Sequence, residues 1–261
     1  METGIESVIQ RLFPEHLRDS LAFDEWSSPI REDVSPGAAD LVTLLERRLD
    51  STKAKYGKDS GLSRDCWELF GGEGGRTIKS SASIRSKLAR DLRNATITAP
   101  AETEKSLRKK ILEFGDLGRV RIVADFPSDI TSLLEKLFQD GKFVDRYECP
   151  KSIKDFVFDP SMRDGLKGHR AHQFSVRVPI DHVETFGFEV QLMTRLQHAW
   201  DRRNHPLYEW QREYPEWIDN QAAVELAVND FACAEAMHLV DRQADENWQR
   251  LQELLRKVTQ Q

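Results

Sequence analysis

The sequence predicts an α+β fold in which a mixed β-sheet of about five strands is flanked by helices, with helical extensions at both ends of the chain. Apolar residues recur at the three- and four-residue spacing of helices through residues 1–57 and again from Thr194 onward. In much of the segment from Arg119 to Met193 they alternate instead, as in strands that bury one face. Strands bracketed by helices in this way are typical of a mixed α+β domain.

The N-terminal part of the chain is predicted to be helical from cap signals and apolar spacing. Ser35 and Pro36 form a candidate N-cap and first-turn pair, and the leucines of residues 41–49 then recur at helical spacing. A glycine cluster at residues 71–75 breaks this pattern. Because the cluster lacks the Lys-Ser/Thr ending of a P-loop and no strand clearly precedes it, a flexible connection is the favoured interpretation.

The remaining elements follow from the same two periodicities. They are helices at Ser80–Arg93, Glu102–Phe114 and Pro127–Gln139, strands at Arg119–Phe126, Lys142–Cys149, Gln173–Ile180 and Phe186–Met193, a helix from Thr194 through Trp200, and a long helix from Trp217 to Val258. This pattern divides the chain into an N-terminal helical region at residues 1–60, a central domain at 61–215 and a C-terminal long helix at 216–261.

The composition is that of an ordinary soluble globular protein. The chain has 38 Lys+Arg against 44 Asp+Glu, a net charge of −6, and 39% hydrophobic residues. No apolar run approaches the roughly 18 residues of a membrane helix, and the N-terminus lacks a basic, apolar signal sequence, so a cytoplasmic protein with no membrane partner is expected. Three scattered cysteines do not suggest a disulfide framework or a zinc cluster. The acidic balance disfavours sequence-independent coating of nucleic acid but leaves a local basic patch open.

One stripe of the helix that begins near Ser80 is basic. At about 100° per residue, a single narrow stripe contains Arg76, Lys79, Ser83, Lys87 and Arg90. A solvated cationic face is the ordinary explanation of such a stripe. However, the stripe has no interleaved acids, and like charges at this spacing repel one another unless an anion is present. A polyphosphate would satisfy them.

Two predicted strands add carboxylates and further cations. Asp116 immediately precedes the strand that places Arg119 and Arg121 on one face, and Glu189 and Gln191 lie on the polar face of the strand at residues 186–193. Taken alone, the residues near Asp116 are explained as an ion-paired surface group, and the polar face with Glu189 is explained as solvent exposure. Together with the basic stripe they are typical of a phosphoryl-transfer site, in which cations hold phosphate, carboxylates hold Mg²⁺ and a carboxylate accepts a hydroxyl proton.

In order, four segments resemble the motifs of the RelA/SpoT-type nucleotide pyrophosphokinase (alarmone synthetase) domain, in its small stand-alone form. They are RTIKSSASIRSKLAR (residues 76–90), DLGRVRI (116–122), KGHRAH (167–172) and FEVQLMTRLQHAW (188–200). Three departures stand out. Arg76 is displaced by one position, and Arg119 replaces the family's glycine. The third motif is one residue short of Gly-Tyr-Arg-Ala/Ser-x-His, so either His169 takes the place of the tyrosine or the alignment slips and no aromatic residue stands there.

The resemblance implies a nucleotidyltransferase-like domain that transfers pyrophosphate from ATP to the ribose 3′-hydroxyl of a guanosine or adenosine nucleotide and releases AMP. It assigns Asp116 and Glu189 to Mg²⁺ and Glu189 to the proton transfer. It assigns ATP to Arg76, Lys79, Ser83, Lys87, Arg90 and Arg121, and the acceptor to Lys167, His169, His172 and Gln191. The chain has no room for the family's separate hydrolase domain and no His-Asp dipeptide, so synthesis without degradation is expected.

Three alternatives stay open. One is a toxin-like relative that pyrophosphorylates the 3′ end of tRNA, and another is a catalytically silent nucleotide sensor. The third is an interaction scaffold, because Trp248, Leu251, Leu255 and Val258 have the spacing of a helix–helix seam, although packing on the parent domain explains it equally well. The expected partners are ATP and an acceptor nucleotide. Three further partners stay open: tRNA, a second copy of this chain and an antidote protein.

Overall fold

The computed structural model describes residues 5–59, 67–71, 77–93, 101–139, 141–147, 153–155, 170–213 and 220–259. The helices of these residues are α1 (Ile5–Leu12), α2 (Ser20–Asp59), α3 (Ser81–Leu92), α4 (Glu104–Glu113), α5 (Pro127–Gln139), α6 (Gly141–Arg146), α7 (Arg195–Glu213) and α8 (Gln221–Thr259). The strands are β1 (Trp67–Gly71), β2 (Gly118–Ala124), β3 (Lys154–Asp155), β4 (His172–Pro179) and β5 (Thr185–Thr194).

The five strands form one mixed sheet in the order β1-β2-β5-β4-β3. The central pair β2 and β5 is parallel, and the other neighbours are antiparallel. Helices α3, α4, α5 and α6 lie between β1 and β3 in the chain, and β4 and β5 are joined directly. The predicted α+β class with a mixed sheet of about five strands is confirmed.

One face of the sheet forms the main core. It carries Val120, Ile122, Phe174, Val176, Val178, Phe188, Val190 and Leu192, all buried. Helices α2, α4 and α5 contribute apolar side chains to the same cluster, as does α1, so the N-terminal helices and the sheet share one core. Because side chains alternate along a strand, the residues between these apolar positions point to the opposite face.

The prediction that a helix begins at Ser35-Pro36 is wrong. Helix α2 begins at Ser20 and continues through Pro29 and Pro36. The hydroxyl of Ser35 donates to the carbonyl of Arg31 at 2.6 Å instead of capping a helix. The buried side chains of α2 before and after Pro36, including Val34 and Leu41, anchor the helix on both sides, so tertiary packing outweighs the backbone hydrogen bond that proline removes.

The prediction of a strand at residues 142–149 is wrong in the described part of that segment, where α6 is helical. Phe143 and Tyr147 are both buried, with ring centroids 5.5 Å apart. A separation of four residues places two side chains on one face of a helix and also on one face of a strand, so their spacing does not distinguish the two.

Three other boundaries differ from prediction. Helix α7 continues past Trp200 and through Pro206 to Glu213. Strand β1 ends at Gly71, so a strand does lead into the glycine cluster, whose remaining residues, 72–75, lie outside the described part of the chain. The short edge strand β3 was not predicted. The remaining predicted helices and strands are present within a few residues of their predicted ends.

Two buried aspartates of helix α8 accept hydrogen bonds from the ends of other elements. Asp245 accepts hydrogen bonds from the Ser128 amide at 2.9 Å and the Ser128 hydroxyl at 2.6 Å, so it caps the start of α5. Asp241 accepts a bond from the hydroxyl of Thr194, at the end of β5. Trp248, a member of the suggested helix–helix seam, stacks on Phe126, with ring centroids 5.8 Å apart. This part of the seam therefore packs on the parent domain.

The buried carboxyl of Asp241 makes stability depend on pH. Burial raises its pKa to about 6, and the neighbouring charge of Asp245 acts in the same direction. The native state therefore holds this proton more tightly than the unfolded chain does, and the stabilisation is lost as pH rises through about 6.

When pH rises from 5 to 7, we expect the free energy of unfolding of the wild type to fall by about 1 kcal/mol as the Asp241 carboxyl ionises. Asp241→Asn should not show this loss, because the amide stays neutral at both pH values. Urea unfolding of both proteins at the two pH values measures this double difference. A difference that does not change with pH would contradict the assignment.

Candidate active site

The face of the sheet opposite the main core carries two rows of polar side chains. In the first row, Arg119 of β2 pairs with Glu189 of β5, which pairs with Ser175 of β4. The next row on the same face consists of Arg121, Gln191 and Gln173. The alternation of polar and apolar residues along each strand produces these rows, and the parallel pairing of β2 with β5 brings the arginines beside the carboxylate and the amide.

Asp116 reaches this face from the turn that precedes β2. A Cβ atom added at Gly187 would lie 2.0 Å from the carbonyl oxygen of Phe114 and 2.8 Å from Cα of Gly115. The absence of a side chain at Gly187 therefore lets the backbone of the turn lie directly against β5. The turn then leads into Asp116, whose side chain is 15% exposed.

Backbone pairing positions the first basic residue beside Asp116. The Lys79 amide donates to the carbonyl of Leu117 at 3.0 Å, and the Arg119 amide donates to the carbonyl of Thr77 at 2.8 Å. These bonds join residues 77–79 to the entrance of β2 as a short antiparallel pair. Lys79 is thereby held opposite the turn that carries Asp116.

Asp116 is surrounded by cations. Its Oδ1 lies 2.5 Å from Nζ of Lys87, and its Oδ2 lies 3.1 Å from Nζ of Lys79 and 3.2 Å from Nη2 of Arg119. Burial alone would raise the pKa of Asp116, but the attraction of Lys79 and Lys87 outweighs it and holds that pKa well below its usual range. Asp116 is therefore a carboxylate at every physiological pH.

The same environment acts on the cations. Burial lowers the pKa of Lys79, an effect that the charge of Asp116 partly offsets. Burial also acts against the charge of Arg119, but attraction to Glu189 and Asp116 outweighs it and raises the pKa of the guanidinium. The ammonium of Lys87 also lies 4.8 Å from the ring centroid of Phe114, close enough for a cation–π contact.

Glu189 is buried and accepts hydrogen bonds on both oxygens. Oε1 lies 2.6 Å from Nε of Arg119 and accepts a bond from Nε2 of Gln191 at 2.8 Å. Oε2 accepts a bond from Nε2 of Gln173 on the neighbouring strand. A carboxylate held by two amide donors and an ion pair keeps one orientation, which a group that must face a reacting hydroxyl requires.

Arg121 is held between the sheet and α7. Its Nε donates to Oε1 of Gln191 at 2.9 Å, and its Nη2 lies 2.7 Å from Oδ2 of Asp201. His198, one turn before Asp201 on α7, contacts the ring edge of Phe70 at a centroid distance of 4.6 Å. Burial, and secondarily the charge of Arg121, lowers the pKa of His198, which favours the neutral ring.

Helix α3 carries the rest of the basic stripe. Ser80 caps the helix by accepting a bond from the Ser83 amide at 3.3 Å, and its hydroxyl donates to that of Ser83 at 3.1 Å. Arg90 donates to the hydroxyl of Ser86 at 2.7 Å. These contacts lie within α3 and its N-cap.

The described end of the third motif is anchored to α8. Arg170 is buried, ion-paired with Glu235 and placed with its guanidinium 5.5 Å from the ring centroid of Phe231. His172, assigned to the acceptor by the resemblance, pairs with Leu192 and so lies on the face opposite Glu189. Burial lowers the pKa of His172, and the charge of Asp155 partly offsets this.

The structure thus brings together Asp116, Glu189, Lys79, Lys87, Arg121 and Gln191 among the predicted site residues. Arg76, Lys167 and His169 lie outside the described residues. Three further residues join the site. Arg119 was predicted only to share a strand face with Arg121, and neither Gln173 nor Asp201 was predicted to be part of the site. The alternation of β4 indicates the face on which Gln173 lies, whereas no sequence signal places Asp201 beside Arg121.

The acidic groups fit a magnesium ion. Among the described residues, no cluster of three or more His, Cys, Asp or Glu side chains could hold a metal. Magnesium commonly takes one or two protein carboxylates together with substrate phosphates and water. Asp116 and Glu189 are a pair of carboxylates of this kind, and both contact the guanidinium of Arg119.

Several solved structures are similar to this chain. The small alarmone synthetase 1 from Bacillus subtilis bound to its product pppGpp aligns with a TM-score of 0.59 at 17% identity, over 85% of this chain and 97% of that one. A GTP pyrophosphokinase family protein from Streptococcus pneumoniae aligns with a TM-score of 0.59 at 18% identity, over 87% and 97%. The B. subtilis synthetase 1 bound to AMPCPP aligns with a TM-score of 0.52 at 18% identity, over 86% and 98%.

Comparisons of sequence alone are negative. No family model matches the chain, and no curated protein matches it significantly. At 17–18% identity, the structural similarity shows a shared fold. Within the described residues, no helix is both long and apolar enough to span a membrane.

Proposed function

We propose that this chain, which has the fold of the small alarmone synthetases, transfers pyrophosphate from ATP to the ribose 3′-hydroxyl of a nucleotide. The observation that carries the proposal is the convergence of Asp116 and Glu189, distant in sequence, beside Lys79 and Lys87. In the reaction, the 3′-oxygen forms a bond to the β-phosphorus of ATP, the bond between that phosphorus and the α,β-bridging oxygen breaks, and AMP leaves.

The basic residues supply the charge compensation that this transfer needs. Lys79 and Lys87 contact the two oxygens of Asp116, and Arg119 links Asp116 to Glu189. A triphosphate beside Asp116 would therefore meet three cations on the same side of the sheet. Phosphoryl transfer depends mainly on such positioning and electrostatic stabilisation, since the protein contributes little covalent chemistry.

Glu189 is the group suited to accept the proton of the attacking hydroxyl. Its carboxylate is buried beneath the cations and held by Arg119, Gln191 and Gln173. A fixed carboxylate in this position can remove a proton as the 3′-oxygen attacks. Arg121 lies on the same face and donates to Gln191, and we assign it to the adenine because the resemblance of its motif implies that role.

Asp116, together with Glu189, would hold Mg²⁺. The ion would supply charge neutralisation to the triphosphate. The residues around the pair act on the substrate directly, with Lys79 and Lys87 neutralising phosphate oxygens and Gln173 and Gln191 orienting Glu189. The pppGpp and AMPCPP in the similar synthetases support nucleotides as the substrates.

The acceptor is proposed to be a guanosine or adenosine nucleotide, and the test includes tRNA as a competing substrate. Purified full-length protein is incubated with γ-labelled ATP and Mg²⁺ and, in separate reactions, GDP, GTP, ADP, excess unlabelled ATP or deacylated tRNA. We expect the label to move to a nucleotide with release of an equal amount of AMP. Label on tRNA would replace this proposal with the toxin-like activity, and ATP binding without transfer would favour a nucleotide sensor.

A further inference from the structure

The side chain of Arg119 occupies the space between the two carboxylates of the proposed site. Its Nε lies 2.6 Å from Oε1 of Glu189, and its Nη2 lies 3.2 Å from Oδ2 of Asp116. The two contacts use two different nitrogens of one planar guanidinium, an arrangement that the single ammonium of a lysine does not reproduce. Glycine, the residue of the resembling family motif at this position, would leave the same space without a side chain.

We propose that Arg119 is a resident cation that competes with the metal ion for Asp116 and Glu189 until the phosphates of the nucleotide draw its guanidinium away. The inference deepens the proposed function and rests on it for the identity of the phosphate ligand. It predicts that the protein without nucleotide binds a divalent ion poorly, although the two carboxylates are already close together.

The local charges favour this competition. Three cations, those of Lys79, Lys87 and Arg119, contact a pair of carboxylates that carries two negative charges. A divalent ion that entered this cluster would meet an excess of positive charge in a partly buried site, where Coulomb interactions are stronger than in water. Removal of the Arg119 charge would leave two lysines beside two carboxylates and would take one cationic contact away from Oδ2 of Asp116 and one from Oε1 of Glu189.

A triphosphate offers Arg119 a better set of partners. Its oxygens carry several negative charges and match the two-pronged donor geometry of arginine. The Arg119 side chain remains 25% exposed, so part of it faces the space that a ligand would enter. In the nucleotide complex Arg119 would then neutralise phosphate and leave both carboxylates to the metal.

Metal binding without nucleotide tests the competition directly. The full-length protein is titrated with Mn²⁺ alone, and free Mn²⁺ is measured by electron paramagnetic resonance. We expect Arg119→Gln to bind Mn²⁺ at least about tenfold more tightly than the wild type, because one like charge is removed at short range. Arg119→Lys is expected to fall between them, because a lysine keeps the charge but loses the bridge.

Two controls separate competition from a general effect of charge. Arg108→Gln removes an arginine ion-paired with Asp33 and Glu184, outside the site, and should leave Mn²⁺ affinity unchanged. The double variant Arg119→Gln with Asp116→Asn should lose the gain. Equal Mn²⁺ affinities for the wild type, Arg119→Gln and Arg119→Lys, with circular dichroism showing all three folded, would overturn the inference.

The role of the nucleotide is tested by repeating the titration with saturating α,β-methylene ATP. The difference between wild type and Arg119→Gln should shrink to less than about threefold, because the phosphates now hold the guanidinium. A difference that stays at tenfold would overturn the proposed movement of Arg119. Since neither titration measures turnover, failure of the inference and failure of the pyrophosphate transfer give different results.

Discussion

Replacement of Glu189 by glutamine is expected to lower the rate of pyrophosphate transfer by about a thousandfold, because the variant loses the carboxylate that accepts the hydroxyl proton. The amide has nearly the same shape and keeps an oxygen for Arg119 and Gln191. Its new NH2 group would face Nε2 of Gln173, so the side chain keeps its place if Gln173 turns its own amide to accept from it. The single-turnover rate with labelled ATP measures the loss, and circular dichroism monitors the fold.

A matched control makes the same chemical change outside the site. Glu184 is ion-paired with Arg108 and is half exposed, so Glu184→Gln should transfer pyrophosphate at the wild-type rate. Asp116→Asn should also reduce transfer strongly, but by a different route, since it leaves Lys79 and Lys87 without their anion. A Glu189→Gln protein that keeps more than about a tenth of the wild-type rate would remove Glu189 from the role of base.

The central strands were predictable because burial of one face imposes a period of two. In the middle of strands β2, β4 and β5, Val120, Phe174 and Phe188 lie on the core face and charged or amide side chains lie opposite, whereas buried Val123 and Met193 break the alternation at the strand ends. The same alternation placed Glu189 and Gln191 on one face. Local pattern was therefore sufficient wherever a strand had one apolar and one polar side.

The errors arise where local pattern is ambiguous or is overruled by packing. Phe143 and Tyr147 satisfy helix and strand spacing alike, and the tertiary fold selects the helix. Pro36 would ordinarily start or break a helix, yet the buried side chains on both sides of it hold α2 continuous. In both cases the deciding contacts come from elements that the local sequence does not contain.

The residue types of the site were more predictable than the contacts between their side chains. Motif order placed Asp116, Glu189 and Lys79 in one site, but the partners of each depend on sheet order and register. Gln173 reaches Glu189 only because β4 lies beside β5 in this register, and Asp201 reaches Arg121 only because α7 turns back over β2. Such contacts between distant segments follow from topology, which the spacing of residues along one chain does not specify.

Gly187 links stability to the site, because its missing side chain admits the turn that carries Asp116. We expect Gly187→Ala to lower the free energy of unfolding by roughly 3 kcal/mol, since its Cβ would lie 2.0 Å from the carbonyl oxygen of Phe114, a backbone atom that no rotamer change can move. Chemical unfolding measures this loss. Gly141→Ala is the matched control, because among the described residues its Cβ would meet only Oδ2 of Asp145, at the ordinary contact distance of 3.8 Å.

Any Gly187→Ala protein that does fold must shift the turn away from β5, so it should also lose transfer activity as Asp116 separates from Glu189. Wild-type stability together with wild-type activity in Gly187→Ala would show that the close approach of the turn to β5 is not what positions Asp116.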